Sequence, residues 1–263
     1  MSCSHRLRQL RSRTTATRLI LVASLAITVV LFAGCGGGDE PSNGPTTVAT
    51  TASSALEGLS ADEVLAKAKE AALAATSVHA AGAGTSDGDA LRIDLRLKAG
   101  DGGTGTIGVG GVTLEIVLKG QDLYFKADED FFKNALGAAY TAQVAQLIDG
   151  KFLKGSISDP RFGDFANFAD MRAFMESTLK PDGAITRVDG KPIGGIPTVG
   201  LNDTAADGGT MYIADDGTNL PLALEPGSPG GGTSGSITFS EWNATFDITP
   251  PPDDQVVDIS KLG

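Results

Sequence analysis

Between residues 91 and 98, and again between 113 and 119, polar and apolar side chains alternate, and this alternation constrains the fold more than any other feature. Leu91, Ile93, Leu95 and Leu97 are separated by Arg92, Asp94, Arg96 and Lys98. Successive side chains of a strand point to opposite faces, so this run predicts a strand with one dry and one wet face. Gly100-Asp101-Gly102-Gly103 predicts a turn, and a Gly- and Thr-rich strand follows through Ile107 and Val109. Leu114, Ile116 and Leu118 then alternate with Thr113, Glu115 and Lys119, and Gly120-Gln121-Asp122 turns the chain into a strand over 123–126. Short turns between alternating runs imply antiparallel pairing.

Helical spacing brackets these strands. Ser60-Ala61-Asp62-Glu63 has the form of a capping box, in which Ser and Glu satisfy two free N–H groups of a helix start. Val64, Leu65, Ala68, Ala72 and Ala75 follow at helical intervals, and the helix is expected to end near Thr76. Short helices are predicted over 130–136 and 140–148, with a brief strand at 151–154. Ser158-Asp159-Pro160 opens a loop, and a stronger helix over 164–179 carries an apolar stripe of Phe165, Phe168, Met171, Met175 and Leu179. Strand signals return over 185–188, 196–201, 211–214, 220–224, 236–242 and 245–249, and Pro250-Pro251-Pro252 interrupts pairing before Val256-Val257-Asp258. Helix, strands, helices, strands is the order of an α+β domain, here over 60–263.

The N-terminus has the parts of an export signal. Five arginines (Arg6, Arg8, Arg11, Arg13, Arg18) and no acid precede an uncharged run of 16 residues, 19–34. That run is shorter than the ~20 residues of a membrane-spanning helix and suits a cleaved leader. It ends Leu31-Phe32-Ala33-Gly34-Cys35, which resembles the lipobox of bacterial lipoproteins, with Phe32 where that pattern usually has Leu. Cleavage after residue 34 and lipidation of Cys35 are expected. Residues 36–59 are mostly Gly, Ser, Thr, Pro and Ala and read as a tether. Such a coil would span about 27 Å, at ~5–6 Å times the square root of its length.

Charge and missing motifs narrow the function. Of 21 basic and 32 acidic residues, five basic and no acidic ones precede Cys35, which leaves 16 against 32. A net charge of −16 is unsuited to nucleic acid or to anionic lipid surfaces, so attachment would come from the acyl chains on Cys35. Cys3 leaves with the leader, so no internal disulfide and no Cys-based metal site is expected. His79 is the one histidine after the leader, and no GxSxG, HExxH or Walker A sequence accompanies it. Gly103-Thr104-Gly105-Thr106-Ile107-Gly108 matches GxGxxG, but that motif needs a following helix and the residues here predict a hairpin. Asp128-Glu129-Asp130 and Asp215-Asp216-Gly217 do not continue into a calcium loop and read as a helix start and a turn. No catalytic residue, metal or cofactor is expected.

Taken in order, these elements resemble the LppX/LprAFG family of actinobacterial lipoproteins over most of 60–263. The resemblance rests on the capped helix ending Ser77-Val78-His79, the 91–98 strand, the Gly-rich hairpin and Asp122-Leu123-Tyr124-Phe125-Lys126-Ala127 before a helix. Gly150-Lys151-Phe152-Leu153-Lys154, Met211-Tyr212-Ile213-Ala214, Leu220-Pro221-Leu222 and Phe239-Ser240-Glu241-Trp242 complete it. Phe152 stands where members often have Trp. The resemblance implies a strongly curved antiparallel half-barrel with helices on its concave side, enclosing an apolar cavity. It further implies a ligand that is an acylated lipid or lipoglycan, carried towards the outer envelope, with a membrane lipid exporter as a candidate partner. The protein is then expected to be a monomer, lipid-anchored on the extracytoplasmic face of the cell membrane.

The residues are compatible with this. Leu91, Ile93, Leu95, Leu97, Ile107, Val109, Leu114, Ile116 and Leu118 on the sheet face Phe165, Phe168, Met171 and Met175 on the helix, and these are the candidate cavity wall. Methionine adapts to irregular space and varied partners. The same side chains would equally build a solid core, so a non-catalytic envelope interaction module is the alternative, with an enzyme the third reading.

Overall fold

A computed structural model describes residues 55–86, 89–159, 168–205, 208–227 and 234–259. The leader, Cys35, the tether up to residue 54 and Phe165 lie outside the described residues, as do parts of the loops after Asp159 and Pro226. The chain opens with helix α1 (Ala61–Ala74) and runs through strands β1 (Ser77–Ser86), β2 (Asp89–Lys98), β3 (Gly102–Val109), β4 (Val112–Lys119) and β5 (Asp122–Ala127). Helices α2 (Glu129–Leu136) and α3 (Ala142–Ile148), strand β6 (Phe152–Ser156) and helix α4 (Met171–Thr178) follow. The remaining strands are β7 (Ile185–Val188), β8 (Thr198–Asp203), β9 (Gly209–Ala214), β10 (Pro221–Pro226), β11 (Ser234–Ser240) and β12 (Val256–Asp258).

All twelve strands join one open sheet in the order β12-β6-β5-β4-β3-β2-β1-β11-β10-β9-β8-β7. Every pairing is antiparallel except β12 with β6. The alternation from 91 to 126 becomes β2 to β5, and the GxGxxG stretch lies inside β3, followed by another strand. One strand is added to the expected elements and two expectations are corrected. Strand β1 carries no polar alternation that would announce it, because its inward positions are Val78, Ala80, Gly82 and Gly84 and two of its outward ones are Ala81 and Ala83. Residues 245–249 form no strand. Instead Phe246 and Ile248 pack on Val117, Tyr124, Phe152 and Val256, covering the outer face of β4 to β6. The helix expected over 164–179 has a fresh start at Asp170. That residue is extended (φ −93°, ψ 117°), and its carboxylate accepts the Ala173 N–H, so α4 begins at Met171. Phe168 is 41% exposed, and the buried stripe is Met171, Phe174, Met175 and Leu179.

The sheet curls strongly. In a flat sheet, β2 and β9 would stand about 19 Å apart, at ~4.8 Å per strand. Here Leu97 of β2 and Ile213 of β9 belong to one core with Val64, Ala68 and Ala72 of α1 and Met171 and Met175 of α4. A second core on the same concave face joins Leu114, Ile116, Leu118, Phe125 and Leu153 to Phe132 of α2 and Ile148 of α3. This is a half-barrel with its helices inside the curve. Among the described residues no helix is long and apolar enough to cross a membrane.

The packed part begins before Ser60. Leu56, assigned by composition to the tether, is fully buried in the first core. Its N–H reaches Asp215 Oδ1 at 3.3 Å, and Arg187 Nη1 donates to the carbonyls of Leu56 (2.8 Å) and Leu59 (2.6 Å). Ser60 and Glu63 then close the expected capping box on α1. The Ser60 N–H and hydroxyl, both donating to Glu63, hold its carboxyl below the ordinary range.

Candidate functional site

The inward side chains of β1 shrink along the strand, from Val78 to Ala80 to Gly82 and Gly84. Their partners in β11 are Phe239 opposite Ala80, Ile237 opposite Gly82 and Gly235 opposite Gly84. Val78, Ala80 and Phe239 are buried core, so space opens only where the glycines begin. The result is an apolar trough of about 200 Å³ on the concave face. Its floor is Gly82, Gly84, Gly235 and Ile237; Leu91 and Ile93 of β2 form one side, and Leu224 and Pro226 of β10 with Gly209 of β9 form the other. A Cβ on Gly82 would collide with the Ser236 carbonyl, and one on Gly84 with the Ser234 carbonyl. Only glycine permits so close an approach of β1 to β11. The same residues therefore let the sheet bend and leave the floor bare.

The trough has little polarity of its own. Of its described lining residues only Glu225 is charged, and its carboxylate is held by Lys191 Nζ at 2.6 Å, which also lies 4.7 Å above the Tyr212 ring. The hydrogen bond to Glu225 raises the Lys191 pKa. A second, mixed cavity of about 300 Å³ lies where α2 and α3 meet the end of β5, lined by Phe132, Ile148, Glu129, Tyr140, Gln146 and Asp149 among others. Burial is the main cause raising the Tyr140 pKa, followed by the nearby Glu129 carboxylate.

His79 lies on the outer face, where its Nε2 is 2.8 Å from Asp94 Oδ1 and its Nδ1 is 3.8 Å from Glu241. Arg96 donates twice to Glu241, which holds that carboxyl below its ordinary range. This is an ion-pair network on the back of the sheet, away from both cavities. Asp128 caps α2 through the Phe131 N–H, and Asp216 closes a turn with Thr218. Among the described residues no group of three or more His, Cys, Asp or Glu is placed to hold a metal.

The candidate wall residues separate into groups. Leu91 and Ile93 line the trough. Leu95, Leu97, Met171 and Met175 are buried between sheet and helices, and Leu114, Ile116 and Leu118 lie under α2 and α3. Ile107 touches both cores, Val109 is half exposed at a hairpin tip, and Phe168 is exposed. The floor of β1 and β11 was absent from the candidate wall. The signal available for it was the alternation Ala80-Ala81-Gly82-Ala83-Gly84, a period-two pattern in size rather than polarity.

LprF from Mycobacterium bovis shares this architecture at a TM-score of 0.50, with 15% identity over 73% of this chain and 96% of its own. The chain has the LprF fold. The lipoprotein LppX of Mycobacterium tuberculosis aligns at a TM-score of 0.44 and 18% identity, over 72% of this chain and 99% of LppX. A LolA superfamily protein from Nitrosomonas europaea aligns at 0.24 and 13%, over 74% and 96%. No family model and no curated protein matches the sequence. The half-barrel expected from the LppX/LprAFG resemblance is therefore the observed fold.

Proposed function

We propose that this chain is an exported lipoprotein, anchored through Cys35 on the extracytoplasmic face of the membrane, that binds acylated lipid without making or breaking bonds. In this reading it carries the lipid towards the outer envelope. The observation that carries it is the apolar trough on the concave face, in which the one charged residue among the described lining residues is already paired. Each methylene moved there from water contributes about 0.8 kcal/mol, so affinity needs no catalytic or ionic group. The LprF fold and the leader ending at Cys35 support the same reading.

An interaction module with a solid interior is the second reading. It is favoured by the cavity's size, about 200 Å³ against the ~300–1,000 Å³ usual for ligand pockets. Residues 36–263, produced without the leader in an actinobacterial host, separate the two. Native mass spectra should show protein with a lipid adduct, and fluorescent acyl probes should be taken up. Empty protein throughout, with no probe uptake, would leave the solid module.

A further inference from the structure

We infer that the β7–β8 hairpin end of the sheet rests on the bilayer surface, with Ile193 and Ile196 making the contact. This rests on the reading of Cys35 as a lipid anchor and goes further, to which part of the domain meets the membrane.

The connection between β7 and β8 contains Pro192-Ile193-Gly194-Gly195-Ile196-Pro197, six residues without a polar side chain. Turns usually draw on Asn, Asp and Ser beside Gly and Pro, and so stay wet. Here Gly194 and Gly195 have φ of 58° and 85°, the left-handed pair that a tight two-residue hairpin needs. Ile193 and Ile196 flank them and exchange both backbone hydrogen bonds at 3.0 Å. Both isoleucines are half-buried, Pro192 and Pro197 are exposed, and Val188 at the end of β7 is 41% exposed.

The hairpin backbone is also easily dehydrated. Moving an unpaired polar group out of water is costly, but Pro192 and Pro197 have no N–H. The Lys191 N–H donates to Thr198 Oγ1, whose hydroxyl donates back to the Lys191 carbonyl. The Lys191 ammonium is turned towards Glu225 and the Tyr212 ring, and Asp189 is exposed at the base.

The partner follows from where the packed chain begins. The Leu56 N–H donates to Asp215 Oδ1 at 3.3 Å, and the Asp215 N–H donates to the Pro197 carbonyl at 2.8 Å. One residue thus joins the start of the domain to the hairpin. Cys35 lies 21 residues before Leu56, and a coil of that length spans roughly 25 Å. The hairpin is therefore held within reach of the bilayer that takes the acyl chains. A lipid anchor is strengthened by a second contact, and an apolar one needs no positive charge on a strongly acidic chain. The apolar tip between β3 and β4, with Val109 50% exposed, lies at the opposite end of the sheet. The trough reaches Gly209 at the far end of β9 and so lies towards the end away from the bilayer.

Cys35 is the one cysteine after the leader, so an added cysteine takes a single fluorophore once Cys35 is lipidated. The lipidated protein is placed on phosphatidylcholine vesicles that contain a lipid with a nitroxide head group. The label sits at Pro192→Cys or at Val109→Cys, both exposed positions. Quenching at 192 should be at least about threefold that at 109. Ile193→Ser with Ile196→Ser should bring the signal at 192 down to the level at 109. Pro197→Asp, at an exposed position, repeats this if the double variant loses its near-ultraviolet dichroism. Equal quenching at 192 and 109 would overturn the docked end, and stronger quenching at 109 would reverse it. Quenching unchanged in a folded double variant would overturn the isoleucine contact. Protein that does not stay with the vesicles would sink the anchor reading itself.

Discussion

Leu56→Ala tests where the tether ends and the domain begins. By composition residue 56 belongs to a loose coil, and its truncation would then change nothing. In the structure its side chain is fully covered by the first core, and its backbone is fixed by Asp215 on one side and Arg187 on the other. Removing a buried leucine side chain costs about 2–5 kcal/mol, through lost transfer energy and the cavity left behind. Because the site is at the edge of the packed domain, about 3 kcal/mol is expected. For a domain of this size each kcal/mol moves the melting temperature by roughly 2–4 °C, which gives a fall of about 6–12 °C. Circular dichroism melts of residues 36–263 measure it, with Leu147→Ala, at a 43% exposed position, as the control. A Leu56 variant that melts within about 2 °C of wild type, as surface changes do, would refute the anchored start. If Arg187→Ala is added, the two effects should couple, because both act on the turn at residues 56–59.

Three further outcomes follow from particular contacts. Asp170→Ala removes the side chain that starts α4 and should cost about 1 kcal/mol in urea unfolding, with Asp170→Asn retaining most of it. Asp203 accepts the N–H groups of Ala205, Asp182 and Gly183, which hold its carboxyl below the ordinary range. A depressed folded pKa adds stability above the unfolded value and loses it as pH falls through the folded one, so Asp203→Asn should lower the melting temperature at neutral pH and match wild type in strong acid. Ile248→Ala uncovers the outer face of β4 to β6 and should cost about 2–5 kcal/mol in chemical unfolding, whereas the same change in a free tail would cost nothing.

How much was legible differs element by element. The hairpins from β2 to β5 could be read directly, because polarity alternates with the strand period at Leu91 to Lys98 and again, apart from the covered Val117, at Leu114 to Lys119. The capping box at Ser60 was equally plain, since it needs only residues three apart. Strand β1 was not, because both its faces are covered by small residues and polarity carries no signal there. Residues 245–249 have strand-like composition, but their apolar side chains cover a sheet face instead of joining an edge.

The amino-acid order alone determined local matters: the arginines and apolar run ahead of Cys35, the two-residue period of the central strands and the acidic balance. Only the tertiary structure decided which apolar residues enclose space and which fill it. Leu91 and Leu95 have the same chemistry and lie on the same face of the same strand, yet Leu91 borders the trough and Leu95 is sealed beneath the helices. The difference lies across the sheet, in whether the partner in β1 is a glycine or an alanine: Gly84 stands opposite Leu91 and Ala80 opposite Leu95. Such a relation exists only once the sheet has paired and curled.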